Sequence, residues 1–198
     1  MKLTEKKRIQ ILDAAEDLFH STGVEHTSMD QLALHAKVSK RTVYNHFATK
    51  ELLFKAILQR MFDKLSQGKE VHFDAALPVA QQLQQIAADE VAMLSSEAFL
   101  RVARIAIMQV MQHPELAQQM NDSALGCKRY LEDFLAAACA AGVLSIADIP
   151  FASKQFVYQL KSFVFYPTLF GFEKQTQSEQ NHIINEAVMM FLARYKTA

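Results

Sequence analysis

Apolar side chains recur every three or four residues near the start of the chain, which is the spacing of one face of an α-helix. The stripe that predicts a first helix, over about residues 5–21, consists of Ile9, Leu12, Ala15 and Phe19. Gly23 follows and is predicted to end this helix, because glycine readily adopts the left-handed conformation found at helix C-termini. The first predicted element is therefore an amphipathic helix.

Serine and threonine mark the starts of the next three predicted helices, because their hydroxyls accept N–H groups left open in a first helical turn. Ser28 forms a capping-box pattern with the glutamine three residues later. Ser39 is predicted to cap a short helix over about 40–46, and Thr49 caps a longer one over about 49–67. Four helices are thus predicted in the first third of the chain.

The remaining chain also predicts helices, which are bounded by the few glycines and prolines. They cover about residues 78–94, 97–112, 114–141, 148–170 and 176–195. The segment 97–112 is apolar on nearly every side, so we expect it in the middle of a helical bundle. Pro167 is expected to kink the helix that contains it. About nine helices and no strand pattern predict an all-α fold.

Composition supports a globular helical protein and removes several classes of function. Apolar residues make up 51% of the chain, whereas Gly (5) and Pro (4) are scarce, which disfavours an all-β fold. Neither a run of about 18 uncharged apolar residues nor a signal-peptide pattern occurs, so we predict a cytoplasmic protein without membrane contact. The sequence contains no glycine-rich phosphate loop, nucleophile elbow, paired-histidine motif or zinc-site spacing. We therefore predict neither an enzyme nor a metal or cofactor site.

Positive charge is concentrated in one segment, although the net charge of the whole chain is zero. Residues 37–50 contain Lys and Arg but no acid. They overlap two short predicted helices joined by a tight turn, Ser28 to His46, which is the pattern of a helix-turn-helix. In that motif the second helix enters the major groove of DNA. Val43 and Phe47 are predicted to face inward; the side chains predicted to face DNA are Lys40, Arg41, Thr42, Tyr44, Asn45 and His46.

The predicted helix starts in this segment also suit phosphate groups. Backbone N–H groups at the starts capped by Ser28, Ser39 and Thr49 are expected to be open to an anion. Lys50 lies just inside the fourth helix, where a cation is unfavourable for the helix dipole. A nearby phosphate would explain a lysine at this position.

The residues around this motif resemble the TetR family of transcriptional regulators. The matching positions are Thr27, Ala33, Ala36, Val38, Ser39, Tyr44, His46, Phe47, Lys50 and Leu53. Leu32 stands where the family usually has Ile, and Lys37 stands where it prefers Gly. If the latter position has a positive φ, lysine there costs up to about 1 kcal/mol. The C-terminal part is similar to the AefR-like subgroup.

The resemblance implies an all-helical homodimer with two domains. Residues 1–48 would form a three-helix, helix-turn-helix DNA-binding domain. Residues 49–198 would form an effector-binding and dimerisation domain, with helix 49–67 connecting the two. The function implied is a ligand-responsive regulator, expected to be a repressor, that binds a palindromic operator. An effector, expected to be a small apolar or amphipathic molecule, would release it from DNA.

The resemblance also implies a set of contacts between the protein and its operator. Base readout would fall to four residues, namely Lys40, Arg41, Thr42 and Asn45. Tyr44 would contact phosphate or a thymine methyl group, and His46 and Lys50 would contact phosphate. Thr27 and Ser28 would cap against phosphate, and Ser39 completes the set.

The effector half offers weaker patterns. Candidate pocket residues, chosen because a sensor needs an apolar cavity with a few polar groups, are Leu83, Ile86, Glu90, Phe99, Val102, Ala103, Ala106, Met120, Cys127, Tyr130, Phe134, Phe156, Tyr158 and Phe163. Arg101 and Arg104 would either anchor an anionic ligand, pair with carboxylates, or lean on the DNA-binding domain. The candidate dimer seam on the last two helices comprises Phe156, Leu160, Phe163, Phe170, Ile183, Ala187, Met190 and Phe191.

Three alternatives to this interpretation remain open from the sequence alone. The first is a ligand-dependent activator in place of a repressor. The second is a thiol-redox regulator that acts through Cys127 or Cys139, although buried cysteines often serve simply as small apolar residues. The third is an all-α interaction module that has kept the motif but lost DNA binding.

Overall fold

The structure, a computed structural model, describes residues 3–24, 26–65, 70–112, 114, 128–172 and 174–197. These ranges contain nine helices and no strand, which confirms the predicted all-α fold. The helices are α1 (Leu3–Thr22), α2 (Met29–His35), α3 (Lys40–His46), α4 (Lys50–Leu65), α5 (Val79–Leu94), α6 (Glu97–Gln112), α7 (Lys128–Ala140), α8 (Ile149–Leu160, continued by Lys161–Phe165 and Tyr166–Leu169) and α9 (Gln177–Tyr195).

The predicted helix caps are present with their side-chain hydrogen bonds. The Ser28 Oγ accepts the Gln31 N–H at 3.1 Å, and the Gln31 Oε1 accepts the Ser28 N–H at 2.8 Å. The Ser39 Oγ accepts the Thr42 N–H at 3.1 Å. The Thr49 Oγ1 accepts a backbone N–H in the first turn of α4. These local hydrogen bonds explain why the starts of α2, α3 and α4 lie where the sequence predicts them.

Packing groups the chain into two compact units, Met1–Lys64 with Arg101–Met120 and Leu65–Leu100 with Asn121–Ala198. Side chains buried in the core of the first unit include Ile11, Leu12, Ala15, Phe19, Leu32, Val43, Phe47, Leu53, Phe54 and Ile57. Helix α4 thus shares one core with α1, α2 and α3. The predicted domain boundary between residues 48 and 49 stays a prediction.

The second unit is a helical bundle in which α9 packs on α5 and α8, and α7 packs on α8. Its buried side chains include Leu83, Ile86, Ala87, Leu131, Phe134, Leu135, Phe156, Leu160, Ala187 and Phe191. Two edge-to-face ring contacts, Phe73 with Phe134 and Phe156 with Phe191, lie within it. Such pairs add to the stabilisation from apolar burial.

Helix α6 differs from the prediction that it would lie buried in the middle of a helical bundle. Leu100, Val102 and Ala106 are buried. Met108 and Met111 are exposed, and 79% of the Met111 surface is open to solvent. Periodicity did not reveal this face because its side chains are apolar too. The predicted helix over about 114–141 is described only at its C-terminal end, as α7, and its earlier part lies outside the described residues.

Helix α8 contains a π-helical turn, Lys161–Phe165, directly before Pro167. The Tyr166 N–H donates to the Lys161 carbonyl five residues earlier. A proline ring clashes with the carbonyl four residues before it and removes an N–H donor, so a widened turn relieves the clash. The expected distortion at Pro167 therefore takes the form of one inserted residue in the helix.

Candidate nucleic-acid interface

A tight turn between α2 and α3 forms the predicted helix-turn-helix. Lys37 lies in this turn with φ of 53°. The Lys37 N–H donates to the Leu34 carbonyl at 3.1 Å, and the Val38 N–H donates to the Ala33 carbonyl at 3.0 Å. These bonds satisfy the last carbonyls of α2 and redirect the chain. The position where the family prefers glycine thus has the left-handed conformation, which a lysine adopts at a cost of about 1 kcal/mol.

Two apolar side chains hold α3 against the rest of the first unit. Val43 and Phe47 are buried, and the Arg8 guanidinium lies 5.3 Å from the centre of the Phe47 ring. The cation over the aromatic face adds electrostatic attraction to the packing. Because only these two positions anchor the helix, the remainder of α3 presents its polar side chains outward.

The predicted contact residues on α3 lie at the surface. Lys40, Arg41, Tyr44 and Asn45 are exposed, and Thr42 and His46 are partly exposed. Tyr44 is the large aromatic side chain of this surface, with half of its area open to solvent. We call these six side chains the α3 polar face. It combines cationic, amide, hydroxyl and aromatic groups, which are the groups that contact bases and phosphates.

Outside α3, the prediction that Thr27 contacts a phosphate must be corrected. It is only 4% exposed. Its Oγ1 donates to the Gly23 carbonyl at 2.8 Å and lies 3.0 Å from the Thr22 Oγ1. Thr27 therefore stabilises the turn between α1 and α2 from inside. This turn buries the hydroxyl, which the sequence pattern alone does not show.

Ser28 and Ser39 are exposed caps, and Lys50 is partly exposed at the start of α4. The caps already satisfy the N–H groups of Ser28, Gln31 and Thr42 within the chain. These three N–H groups are therefore not open to phosphate, which corrects part of the expectation for the helix starts. The serine hydroxyls and the Lys50 ammonium lie on the same unit as the α3 polar face.

Ion pairs at two places in the first unit join residues that are too far apart in sequence for helical spacing to predict them. Lys40 at the start of α3 pairs with Asp30 of α2, with 2.5 Å between Nζ and Oδ2. Arg60 of α4 pairs with Asp13 of α1, and its Nε lies 3.5 Å from the Glu16 Oε1. The first pair joins the two helices of the motif, and the second joins α1 to α4.

The predicted pocket residues separate into several groups. Leu83, Ile86, Glu90, Phe134 and Phe156 are buried in the second unit. The partly buried ones are Phe99, Ala103 and Tyr130. Val102 and Ala106 belong instead to the core of the first unit. Met120 and Cys127 lie outside the described residues.

Tyr158 and Phe163 are both more than half exposed, so their assignment to an internal pocket is corrected. Both lie on α8, whose two sides are apolar, and helical spacing cannot tell which side faces inward. Arg101 and Arg104 are exposed as well. Glu90 is the acidic side chain that the structure buries among the predicted pocket residues.

A surface depression in the second unit includes none of the predicted pocket residues. Its lining comprises Ser145, Ala147, Asp148, Phe151, Gln155, Arg194 and Tyr195. The Tyr195 hydroxyl donates to the Gln155 Oε1 at 2.6 Å, and the Asp148 carboxylate caps the start of α8. Three polar side chains of this depression, Tyr195, Gln155 and Asp148, thus already have partners within the chain.

The residues predicted for the dimer seam also divide into buried and exposed groups. Phe156, Leu160, Ala187 and Phe191 lie in the protomer's own core, so they are corrected as contacts to a partner. Ile183 is partly buried. Phe163, Phe170 and Met190 are exposed. The structure adds exposed neighbours that the spacing did not identify: Tyr158, Tyr166, Phe172 and Met189.

These exposed side chains include stacked rings. The Tyr166 and Phe170 ring centres are 6.4 Å apart with nearly parallel planes, and Phe172 contacts Phe170 edge-on. We call Tyr158, Phe163, Tyr166, Phe170 and Met190 the aromatic patch. Exposed apolar side chains of this kind are candidates for burial against another molecule.

The described residues hold few other candidate centres. They contain no group of three or more His, Cys, Asp or Glu side chains placed to hold a metal ion. Cys139 on α7 is a partly buried free thiol, and Cys127 lies outside the described residues. None of the helices in the described ranges is both long enough and apolar enough to span a membrane.

Two family profiles match the chain. The profile of bacterial regulatory proteins of the tetR family matches residues 11–57, which include the helix-turn-helix. The profile of the C-terminal domain of AefR-like transcriptional repressors matches residues 81–197. The second match alone covers more than half of the chain.

Solved structures and curated proteins agree with these profiles. A TetR family transcriptional regulator from Pseudomonas syringae pv. tomato str. DC3000 is 35% identical, with a TM-score of 0.84 over 99% of this chain and 100% of that one. The Flavonoid-responsive Regulator FrrA is 26% identical, with a TM-score of 0.83 over 97% and 98% of the two chains.

Among curated proteins, the HTH-type transcriptional activator FasR of Mycolicibacterium smegmatis is 41% identical over 64 residues. The match spans 32% of this chain and 29% of that protein. Less than a third of this curated relative is therefore matched.

Proposed function

Because this chain belongs to the TetR family of transcriptional regulators, we propose that it is a repressor that binds a palindromic DNA operator as a homodimer. A small-molecule effector releases it from the operator. The observation that carries the DNA-binding part is the α3 polar face, held outward by two buried side chains, Val43 and Phe47. The proposal places the protein in the cytoplasm with its DNA and assigns it no catalytic step.

We assign the contacts according to the chemistry of each exposed group. Lys40 and Arg41 donate to guanine, and Asn45 pairs with adenine, each with about 1–3 kcal/mol of discrimination. Thr42 completes the base readout. The phosphate contacts fall to Tyr44, His46 and Lys50, with the Ser28 and Ser39 hydroxyls beside them. Phosphate contacts position the protein on the duplex, and base contacts select the sequence.

The aromatic patch supplies the surface for a homodimer. A twofold dimer places the same patch of each protomer against its copy. Two recognition helices must then lie about 34–36 Å apart, one turn of DNA, to read both halves of a palindrome. The described exposed rings of α8 support this assignment, since an apolar surface of this kind is stabilised by burial against another.

The second unit is the part of the chain to which we assign effector binding. Most of its buried side chains are apolar, and the buried polar ones include Gln82, Glu90, Ser153 and Thr168. An apolar interior with a few polar groups suits an apolar or amphipathic ligand. The name of the Flavonoid-responsive Regulator FrrA supports a ligand response of this kind. The effector acts by binding the DNA-free conformer more tightly than the DNA-bound one.

Activation of transcription, in place of repression, is the second candidate function. The description of the AefR-like profile names a repressor, whereas the curated relative FasR is named as an activator. A redox response through Cys127 or Cys139 is a third candidate, and labelling of the native thiols tests it. A reporter gene placed behind the recovered operator separates repression from activation, because the two predict opposite changes when the regulator is deleted.

The experiment that tests the proposal is selection of DNA from the fragmented genome of the source by the purified protein. We expect sequencing of the bound fragments to give a dyad-symmetric site near promoters. An Asn45→Ala/Arg41→Ala variant, which keeps both anchors of α3, is the matched control and should lose the enrichment. Equal recovery of all fragments by wild type and variant would contradict the proposal.

A further inference from the structure

An exposed ion pair joins the two helices of the motif where the recognition helix begins. Asp30 lies in the first turn of α2 and Lys40 is the first residue of α3. Their side chains are 56% and 65% exposed, and 2.5 Å separates Oδ2 from Nζ. Exposed ion pairs contribute little to folding stability, because water screens the two charges. Folding stability is therefore a weak reason for this pair.

The charge of Asp30 is unexpected on this surface. It is the only Asp or Glu between residues 26 and 50, in the part of the chain that carries the recognition helix. A carboxylate beside DNA phosphates repels them and so lowers the affinity for every duplex. An acid at this position therefore weakens DNA binding in general. It is an advantage only if it also improves recognition of one sequence.

The Asp30–Lys40 contact bears on how Lys40 can meet DNA. A lysine ammonium has three N–H donors and no fixed orientation. Asp30 accepts one of them and thereby restricts the long side chain, while the other two donors suit the O6 and N7 atoms of guanine. An ammonium already neutralised by a carboxylate gains less from a phosphate, which carries no sequence information.

We propose that Asp30 is a positioning residue for specificity: it holds Lys40 so that this lysine reads a guanine edge and not a phosphate. This inference rests on the proposed function, because it assumes that α3 lies in the major groove. The pair raises the ratio of operator affinity to affinity for random DNA. It does so at the expense of overall affinity.

The test compares wild type with Asp30→Asn, which keeps the side-chain size and removes the charge. Fluorescence anisotropy would measure binding to two probes, the duplex recovered by selection and a random-sequence duplex of equal length. We expect Asp30→Asn to bind the random duplex about three- to tenfold more tightly, with a salt slope steeper by about one. Its affinity for the recovered duplex should rise less, so the specificity ratio falls. Asp17→Asn, an equal charge change at an exposed site on α1, is the control and should leave the ratio unchanged.

A double-mutant cycle with Lys40→Met separates positioning from a general effect of charge. If Asp30 acts through Lys40, Asp30→Asn changes the specificity ratio only when Lys40 is present. An unchanged ratio in Asp30→Asn, or an equal fall with and without Lys40, would overturn the inference. If wild type binds neither duplex, the proposed function fails instead. A thermal melt of each variant checks folding, which an exposed pair should hardly affect.

Discussion

The two units of the chain expose surfaces of opposite chemistry. The first unit exposes the α3 polar face, whereas the second exposes rings and methionine in the aromatic patch. Charged and amide groups are the kinds of side chain that bind the bases and phosphates of a nucleic acid, so we propose the α3 polar face as the DNA-binding surface. Exposed apolar side chains are stabilised by burial against another apolar surface, so we propose the aromatic patch as the dimer seam. The comparison teaches that one chain can expose a polar surface and an apolar surface separately by placing each on its own core.

The largest effect we expect concerns the difference between the inner and outer sides of α8. Phe156 is 1% exposed and contacts the Phe191 ring, whereas Phe151 on the same helix is exposed. Phe156→Ala should lower the free energy of unfolding by about 3–5 kcal/mol, because it leaves a cavity. Phe151→Ala is the matched control and should cost less than about 1 kcal/mol. Urea denaturation measures both; equal losses would contradict the assigned inner side.

The next effect tests the assembly role of the aromatic patch. Phe170 is 65% exposed beside Tyr166. Phe170→Asp should raise the dimer dissociation constant at least tenfold, or by about 1.4 kcal/mol, because a charge would be buried at the seam. Leu34→Asp, at an exposed apolar site on α2, should leave assembly unchanged. Analytical ultracentrifugation over a concentration series gives both constants. A Phe170→Asp protein that dimerises like wild type would rule out this seam.

A smaller effect is expected in the turn of the first unit. Lys37 has a positive φ, so Lys37→Gly should raise the free energy of unfolding by up to about 1 kcal/mol. Lys37→Ala removes the same charge without relieving the backbone, and should not stabilise. Thermal unfolding compares the three proteins. Stabilisation by alanine as large as that by glycine would show that charge, not backbone conformation, is responsible.

The smallest effect concerns the cap of α9 in the second unit. The Thr176 backbone N–H and the Thr176 hydroxyl both donate to the Glu179 carboxylate. These two hydrogen bonds, of which the backbone one has the larger effect, lower the pKa of Glu179 below its ordinary value of 4.5. A lowered pKa in the folded state stabilises the protein at pH values above 4.5. This contribution to the free energy of unfolding is lost as the pH falls through the folded-state pKa. Glu179→Gln keeps a capping side chain without a titrating group. The difference in unfolding free energy between wild type and variant should therefore shrink on acidification, and a constant difference would contradict the assignment.

The sequence predicted the helix-turn-helix well because its signals are local. The starts at Ser28 and Ser39 follow from hydroxyl caps, and Val43 and Phe47 are the only apolar positions that can anchor α3. Lys37 could be identified because the position where the family prefers glycine requires a particular backbone conformation. These features depend on neighbours within four residues, which the sequence displays directly.

The inner and outer sides of α8 could not be predicted in the same way. Both sides carry aromatic side chains, so Phe156 and Phe163 look alike in sequence although one is buried and the other is exposed. The π-helical turn before Pro167 adds one residue and changes the helical register after it. The Asp30–Lys40 and Arg60–Asp13 pairs depend on tertiary packing between helices, which spacing rules do not reach.

The measurement that tests the central claim most directly is DNA binding as a function of salt, with the duplex recovered by selection. Wild type should lose affinity steeply as salt rises, because cationic groups displace counterions from phosphates. Lys50→Ala should bind more weakly with a salt slope shallower by about one, and Tyr44→Ala should bind more weakly while the protein stays folded. A flat salt response in wild type, or wild-type affinity in both variants, would contradict the assignment of this surface to DNA.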